Sequence, residues 1–227
     1  VKTNCQNIVK HLKTMSNPDN VAGMARFGIN PVGTLGVSVG ELRKIAKEIP
    51  PSHSLALELW DTGIHEARIL ASIVDIPEHV SEGQMEHWAQ SFDSWDICDQ
   101  CCNNLFRKTS YAYPKAVSWT SRPEPFVKRA GFTLIACLAF HDKAAPDKRF
   151  EHDITLILRE AEDDRNFVRK AVNWALRNIG KRNGNLHSLS LTAARELADR
   201  DSRTARWIGR DALRELNSEK VRKRLRS

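Results

Sequence analysis

The stretch Phe167-Val168-Arg169-Lys170-Ala171-Val172-Asn173-Trp174-Ala175-Leu176-Arg177 decides the fold of this chain. Val172, Leu176 and Ile179 recur at helical spacing. Val168-Arg169 through Ala175-Leu176-Arg177 returns as Ala205-Arg206 through Ala212-Leu213-Arg214, 37 residues later. Val127-Lys128-Arg129-Ala130 opens the same pattern 41 residues earlier, and Glu66-Ala67-Arg68-Ile69 is a weaker echo. Periods of this size belong to HEAT-type helical hairpins. One hairpin cannot bury its apolar face alone, so neighbours stack. The expectation is an all-α HEAT-like helical-repeat solenoid with a concave basic groove, a single domain over residues 1–227. The basic residue recurring at one repeat position would line a side of that groove. A plain all-α bundle with accidental echoes is the alternative, but three copies share both pattern and period.

Outward from this stretch the periodicity stays helical. Leu42, Ile45, Ala46 and Ile49 follow it, as do Ile69, Leu70, Ile73 and Val74. Alternating stretches of strand type are absent. Asn17-Pro18-Asp19 opens a helix, with Pro18 suited to its first turn. One long glycine-rich break runs from Asn30 to Gly40, and Pro50-Pro51-Ser52 separates the next pair. About a dozen helices with short loops result.

The 227 residues suffice to bury a large core without disulfide or metal. Lys plus Arg number 35 and Asp plus Glu 28, a net of +7. The excess is uneven. Residues 159–227 carry 18 basic against 10 acidic residues, whereas residues 1–158 carry 17 against 18. A basic end invites a polyanion; a solvated face is the plainer alternative. No apolar run has the length of a membrane span, and residues 1–20 lack the apolar core of a signal peptide. Cys5, Cys98, Cys101, Cys102 and Cys137 therefore read as reduced thiols of a cytosolic protein. Cys98-Asp99-Gln100-Cys101 spells CxxC, but no βαβ context supports redox chemistry and no second ligand pair supports zinc. No histidine pairing suggests a hydrolytic triad, and no phosphate-loop spacing occurs.

The densest chemistry lies in Phe92-Asp93-Ser94-Trp95-Asp96-Ile97-Cys98-Asp99-Gln100-Cys101-Cys102. Ser94 can cap a helix with Asp96 in its first turn. Trp95 and Asp99, four apart, share a helical face. A core tryptophan beside a salt-bridged aspartate would look the same. Trp60 repeats the Trp-Asp dipeptide but has Ile64 at the fourth place, so it reads as core. Trp88, Trp119 and Trp207 are core or groove edge. Arg129 and Trp174 stand in later repeats. Arg203, Arg206, Arg210 and Arg214 form one stripe, either tracking phosphates or solvated with Asp211 and Glu215 as intrahelical partners. The terminal Lys220–Arg226 segment reads as a flexible basic tail.

Trp95-Asp96-x-x-Asp99, then Lys128-Arg129-Ala130, then Lys170-Ala171-x-x-Trp174-x-Leu176-Arg177, is similar to the AlkD-like DNA alkylation repair proteins. Met24-Ala25-Arg26-Phe27, Gly36-Val37 and Leu42-Arg43 also resemble that family. The resemblance covers essentially the whole chain. It implies a HEAT-like stack holding duplex DNA, and a monofunctional glycosylase excising cationic alkylpurines such as N7-methylguanine and N3-methyladenine. Such enzymes do not draw the damaged base into a pocket. By motif match Asp99 takes the place of the catalytic carboxylate, Trp95 and Trp174 those of aromatics facing the lesion, and Arg129 that of a basic residue at the DNA backbone. Lys128, Arg169, Lys170, Arg206 and Arg210 would hold the backbone with it. Phe27 stands at the DNA-contacting place where active relatives carry tyrosine. The implied partner is double-stranded alkylated DNA, met by a monomer without metal, cofactor or membrane.

The residue chemistry fits. An N7-alkylated purine is already cationic and leaves without a general acid. Its loss builds positive charge on the sugar, which a carboxylate stabilises. Indole faces attract a cationic base by about 0.5–2 kcal/mol each. Two alternatives stay open: a catalytically silent HEAT-repeat module that binds distorted DNA, and a protein–protein scaffold.

Overall fold

The structure, a computed structural model, describes residues 4–226. Fourteen α-helices and no strand occur among them: α1 (Cys5–Thr14), α2 (Pro18–Arg26), α3 (Val39–Lys47), α4 (His53–Asp61), α5 (His65–Val74), α6 (Glu82–Gln90), α7 (Trp95–Asn104), α8 (Ala112–Trp119), α9 (Pro125–His141), α10 (Asp147–Glu160), α11 (Asn166–Gly180), α12 (Gly184–Asp199), α13 (Arg203–Leu216) and α14 (Glu219–Arg226). Polar residues set the starts. Asn17 accepts the Asn20 amide with Pro18 in the first turn, and Ser38, Ser52, Ser81, Asn183 and Ser202 cap their helices likewise. Each side-chain oxygen satisfies an amide that the helix itself leaves unpaired. Packing divides the chain into two compact units, Val1–Tyr111 and Ala112–Ser227.

The second unit is three hairpins, α8/α9, α10/α11 and α12/α13, followed by α14. Helices α9, α11 and α13 start 41 and then 37 residues apart, the offsets seen in the sequence, and α11 packs on both of the others. This is the HEAT-like repeat. Inside the hairpins the helices approach closely. A Cβ on Gly131 of α9 would lie 2.8 Å from the Thr120 amide nitrogen, and one on Gly209 of α13 would lie 2.4 Å from that of Ala198. Between hairpins, side chains reach across at nearly one period. Asn178 donates to the Ala136 carbonyl, Asn173 to Asp211, and Arg177 to Glu215. Lys220–Arg226 is no flexible tail: it lies within α14, where Val221 is buried. A helix this short is marginal alone and depends on such packing.

The first unit is less regular. The α4/α5 hairpin packs α5 against both α3 and α7. Its core stacks Trp60 on Trp88, nearly parallel with centroids 3.9 Å apart, beside Phe92 and Phe106. Trp60 is thus core, as Ile64 indicated, and Trp88 and Trp119 are fully buried too. Glu66, fully buried at the start of α5, accepts the amides of Leu35, Gly36 and Val37 at 2.9, 2.7 and 3.2 Å. One carboxylate thereby gathers the glycine-rich break.

Candidate functional site

Helix α7 turns Ile97, Cys98, Cys101 and Cys102 into the core. Burial holds the Cys101 thiol well above its ordinary pKa, so these sulfurs pack as small hydrophobes. That commitment leaves Trp95, Asp96, Asp99 and Gln100 on the half-exposed side of the helix. Trp95 is the first residue of α7, and its indole N–H donates to the Phe27 carbonyl at 3.0 Å. The ring is held by a backbone group and stays partly exposed. Phe27 itself, at the end of α2, is 75% exposed. Asp99 follows Trp95 by one turn, partly exposed, as the spacing required.

The start of α7 differs from expectation in one detail. Ser94 occupies the cap position but caps nothing; its buried hydroxyl accepts the Asn30 amide at 2.9 Å, and Asn30 also donates to Asp93 at 2.8 Å. The hydroxyl ties α7 to the glycine-rich break instead. Asp96 turns aside to the buried His65 of α5, 2.8 Å from its Nε2. His65 and Asp96 have no motif in the sequence, because only the fold brings them together.

In the second unit the three equivalent basic positions, Lys128, Arg169 and Arg206, are largely engaged within the repeats. Lys128 is buried and pairs with Glu160 at 2.6 Å and Asp163 at 3.0 Å. Burial opposes the charge on Asp163, but hydrogen bonds from Arg165 and Lys128 outweigh it and hold the carboxyl at about 2. Arg206 donates to the Arg200 and Asp201 carbonyls, closing the end of α12. Arg169 lies over the Trp207 ring at 5.0 Å and donates to Asn166. Arg129 is buried and donates to the Phe167 carbonyl at 2.6 Å. The expected row of basic residues lining a groove is therefore, at Lys128, Arg129 and Arg206, mainly a set of ties between helices.

Other residues remain at the surface. Lys170 and Arg210 are exposed, Trp174 is half-buried on α11, and Arg203 and Arg214 are exposed on α13. Arg214 pairs with Asp211 within its helix, whereas Glu215 pairs across to Arg177 and Lys181 of the preceding repeat. Trp207, 37% exposed beneath Arg169, is an aromatic surface that sequence left ambiguous. Its signal was its place beside the arginine stripe.

In the second unit the exposed Lys170, Arg203 and Arg210, with Trp207 also at the surface, suit a polyanion. The family model described as DNA alkylation repair enzyme matches residues 8–216. The chain belongs to the DNA alkylation repair enzyme family. A solved member of a family related to the HEAT-like repeat DNA glycosylases, with affinity for branched DNA structures, superposes with a TM-score of 0.79 at 20% identity, covering 98% of this chain and 96% of that one. A designed armadillo repeat protein in complex with a (KR)4 peptide overlays with a TM-score of 0.37 at 13% identity, covering 82% of this chain and 88% of that one. No curated protein matches the chain at a significant level. Membership of the DNA alkylation repair family agrees with the resemblance seen in the motifs. Among the described residues, no helix is long and apolar enough to cross a membrane.

Proposed function

We propose that this chain is a monofunctional DNA glycosylase that hydrolyses the N-glycosidic bond of positively charged alkylated purines in duplex DNA. N7-methylguanine and N3-methyladenine are its substrates, and the damaged base is not drawn into a protein pocket. The observation that carries this reading is the start of α7. There Trp95 is held by the Phe27 carbonyl and Asp99 stands one turn beyond it. Asp99 stabilises the positive charge that builds on the sugar as the base departs, or orients the attacking water. Trp95 and Trp174 offer indole faces to the cationic nucleotide. Lys170, Arg210 and the outer face of Arg169 contact phosphates, while Arg129, Lys128 and Arg206 shape the helices that present them. Phe27 adds an apolar contact to DNA without a hydroxyl. The cationic base is its own leaving group, so the chemistry needs neither metal nor cofactor, and the enzyme works as a cytoplasmic monomer.

A second reading is a catalytically silent binder of distorted DNA. It is favoured by Phe27 in place of tyrosine and by the affinity for branched DNA of the structural neighbour. Duplex carrying N7-methylguanine separates the two. The glycosylase releases base, and Asp99→Asn slows release on the order of 10²–10³-fold. Absence of release by the wild type, or equal release by Asp99→Asn, overturns the enzymatic reading. Salt-sensitive duplex binding without release then supports the binder, and no affinity even at low salt supports a scaffold.

A further inference from the structure

Away from these residues, the second unit holds a groove of about 450 Å³ between α8 and α10. Tyr113, Pro114, Val117 and Ser118 line it from α8, and Arg149, His152 and Asp153 from α10. Asp153 is 3% exposed. Among the described residues it has neither a hydrogen bond nor an ion pair; its one resolved electrostatic neighbour is Arg149, a turn earlier. Arg149 instead stacks its guanidinium over the Tyr113 ring at 3.8 Å. The Tyr113 hydroxyl is also occupied, donating to Asp142 at 2.7 Å. The groove thus has apolar walls, a closed aromatic side and one unanswered carboxyl at its floor. A buried carboxyl without a partner is costly, and structures usually supply one.

We propose that this groove binds an alkylammonium group, with the cationic head on Asp153 and the aliphatic stem along Pro114 and Val117. The carboxyl explains the choice of head. When ionised it is purely an acceptor, and an ammonium offers three donors together with the opposite charge. Val117, 38% exposed, explains the stem. A free amine and a lysine side chain share this chemistry.

Binding depends on pH in a defined sense. Burial, partly countered by Arg149, raises the Asp153 carboxyl to about 7. Ammonium binds the ionised form, whose share grows as pH rises through that value. Between pH 6 and pH 8 the apparent affinity therefore rises roughly tenfold, because only the competent fraction binds. Other titratable or charged groups near the groove are the Tyr113 phenol from α8, Asp142 at the end of α9, Arg149 and His152 from α10, and Arg182, which acts on Tyr113 and Asp142 from beyond α11. His152 is exposed beside the groove.

The test uses the full chain and follows Val117 methyl and Tyr113 ring signals by NMR. Titrants are n-butylamine, n-butanol and an acetylated tripeptide with a central lysine. Saturable shifts with an amine, rising in affinity from pH 6 to pH 8, are expected. His152→Gln keeps most of that rise, Asp153→Asn abolishes binding, and Val117→Trp, at a surface position, blocks it. Binding of butylamine alone identifies a free amine, and binding of the peptide identifies a lysine side chain. The proposal is overturned if neither amine shifts Val117, if butanol binds as well, or if Asp153→Asn binds equally. Should Asp153→Asn fail to fold, full binding by Val117→Trp is the overturning result.

Discussion

In Ala112–Ser227 the ties between helices come in series; in Val1–Tyr111 each occurs once. The second unit repeats one geometry. Asn173 to Asp211 and Arg177 to Glu215 span 38 residues each, and Asn178 to Ala136 spans 42. The first unit relies on single devices: Glu66 on three amides, Ser94 on Asn30, His65 on Asp96. A repeating array distributes its stability over similar interfaces, so loss of one is local. A single device has no replacement. The proposed carboxylate, Asp99, stands in the unit built from single devices. Precise placement of a few side chains needs bonds that a repeat does not automatically provide.

Breaking the largest of these devices gives the largest stability effect. Glu66→Ala leaves three amides without their acceptor in a buried setting. Each unsatisfied group costs about 1–3 kcal/mol, less whatever water recovers, so a loss of about 3 kcal/mol or more is expected. Denaturant unfolding measures it. A loss under about 1 kcal/mol would mean that the glycine-rich break is held by something other than this carboxylate. The same variant should also weaken the Trp95 anchorage, since Phe27 leads directly into that break.

Much of the second unit was legible because its period is written in residue types. Val-Lys-Arg-Ala and Val-Arg-Lys-Ala sit at the same turn of α9 and α11, and the helices begin at the same offsets. The Trp95–Asp99 pair was legible because four residues on a helix mean one face. The use of the basic residues was not. Lys128 finds Glu160 and Asp163 only when two hairpins stack, and nothing in its neighbours in sequence reports that. The charge count therefore overstates what is left for a polyanion. Ser94 misled for the same reason: an amide 64 residues away competes with its own helix for the hydroxyl. Charged α14 read as a tail because its anchor, Val221, is a single residue among many cations.

A second break belongs to the repeating unit. Gly209→Ala forces a Cβ to within 2.4–2.5 Å of the α12 backbone at Ala198 and Ala194. Backbone atoms cannot swing away, so α12 and α13 must separate. Overpacking of this kind costs about 1–3 kcal/mol. The expected signature is a stability loss smaller than that of Glu66→Ala, read by denaturant unfolding. A loss as large as that of Glu66→Ala would show that the repeat interfaces are no more redundant than the single devices of the first unit.

Acid sharpens the contrast further. The Asp163 carboxyl is held at about 2 against an ordinary 3.8, by hydrogen bonds that outweigh its burial. A depressed value means that this tie stabilises fully above 3.8 and is lost as pH falls toward 2. Asp163→Asn should lower stability at neutral pH and flatten its decline between those two values. An unchanged acid profile would assign the Lys128 tie to Glu160 alone.

The smallest expected effect tests redundancy itself. Glu215 is paired by both Arg177 and Lys181, at the boundary between two repeats. Removing one of two cations leaves the carboxylate paired, and all three side chains are partly open to water. Lys181→Ala should therefore cost at most about 1 kcal/mol, and less as salt rises. If the repeat array tolerates single losses, adding Arg177→Ala costs more than the two separate losses together, because Glu215 then has no cation from α11. A double-mutant cycle in denaturant reads that coupling directly. Strict additivity would mean that the two cations act independently, and the ties of the second unit would then be as singular as those of the first.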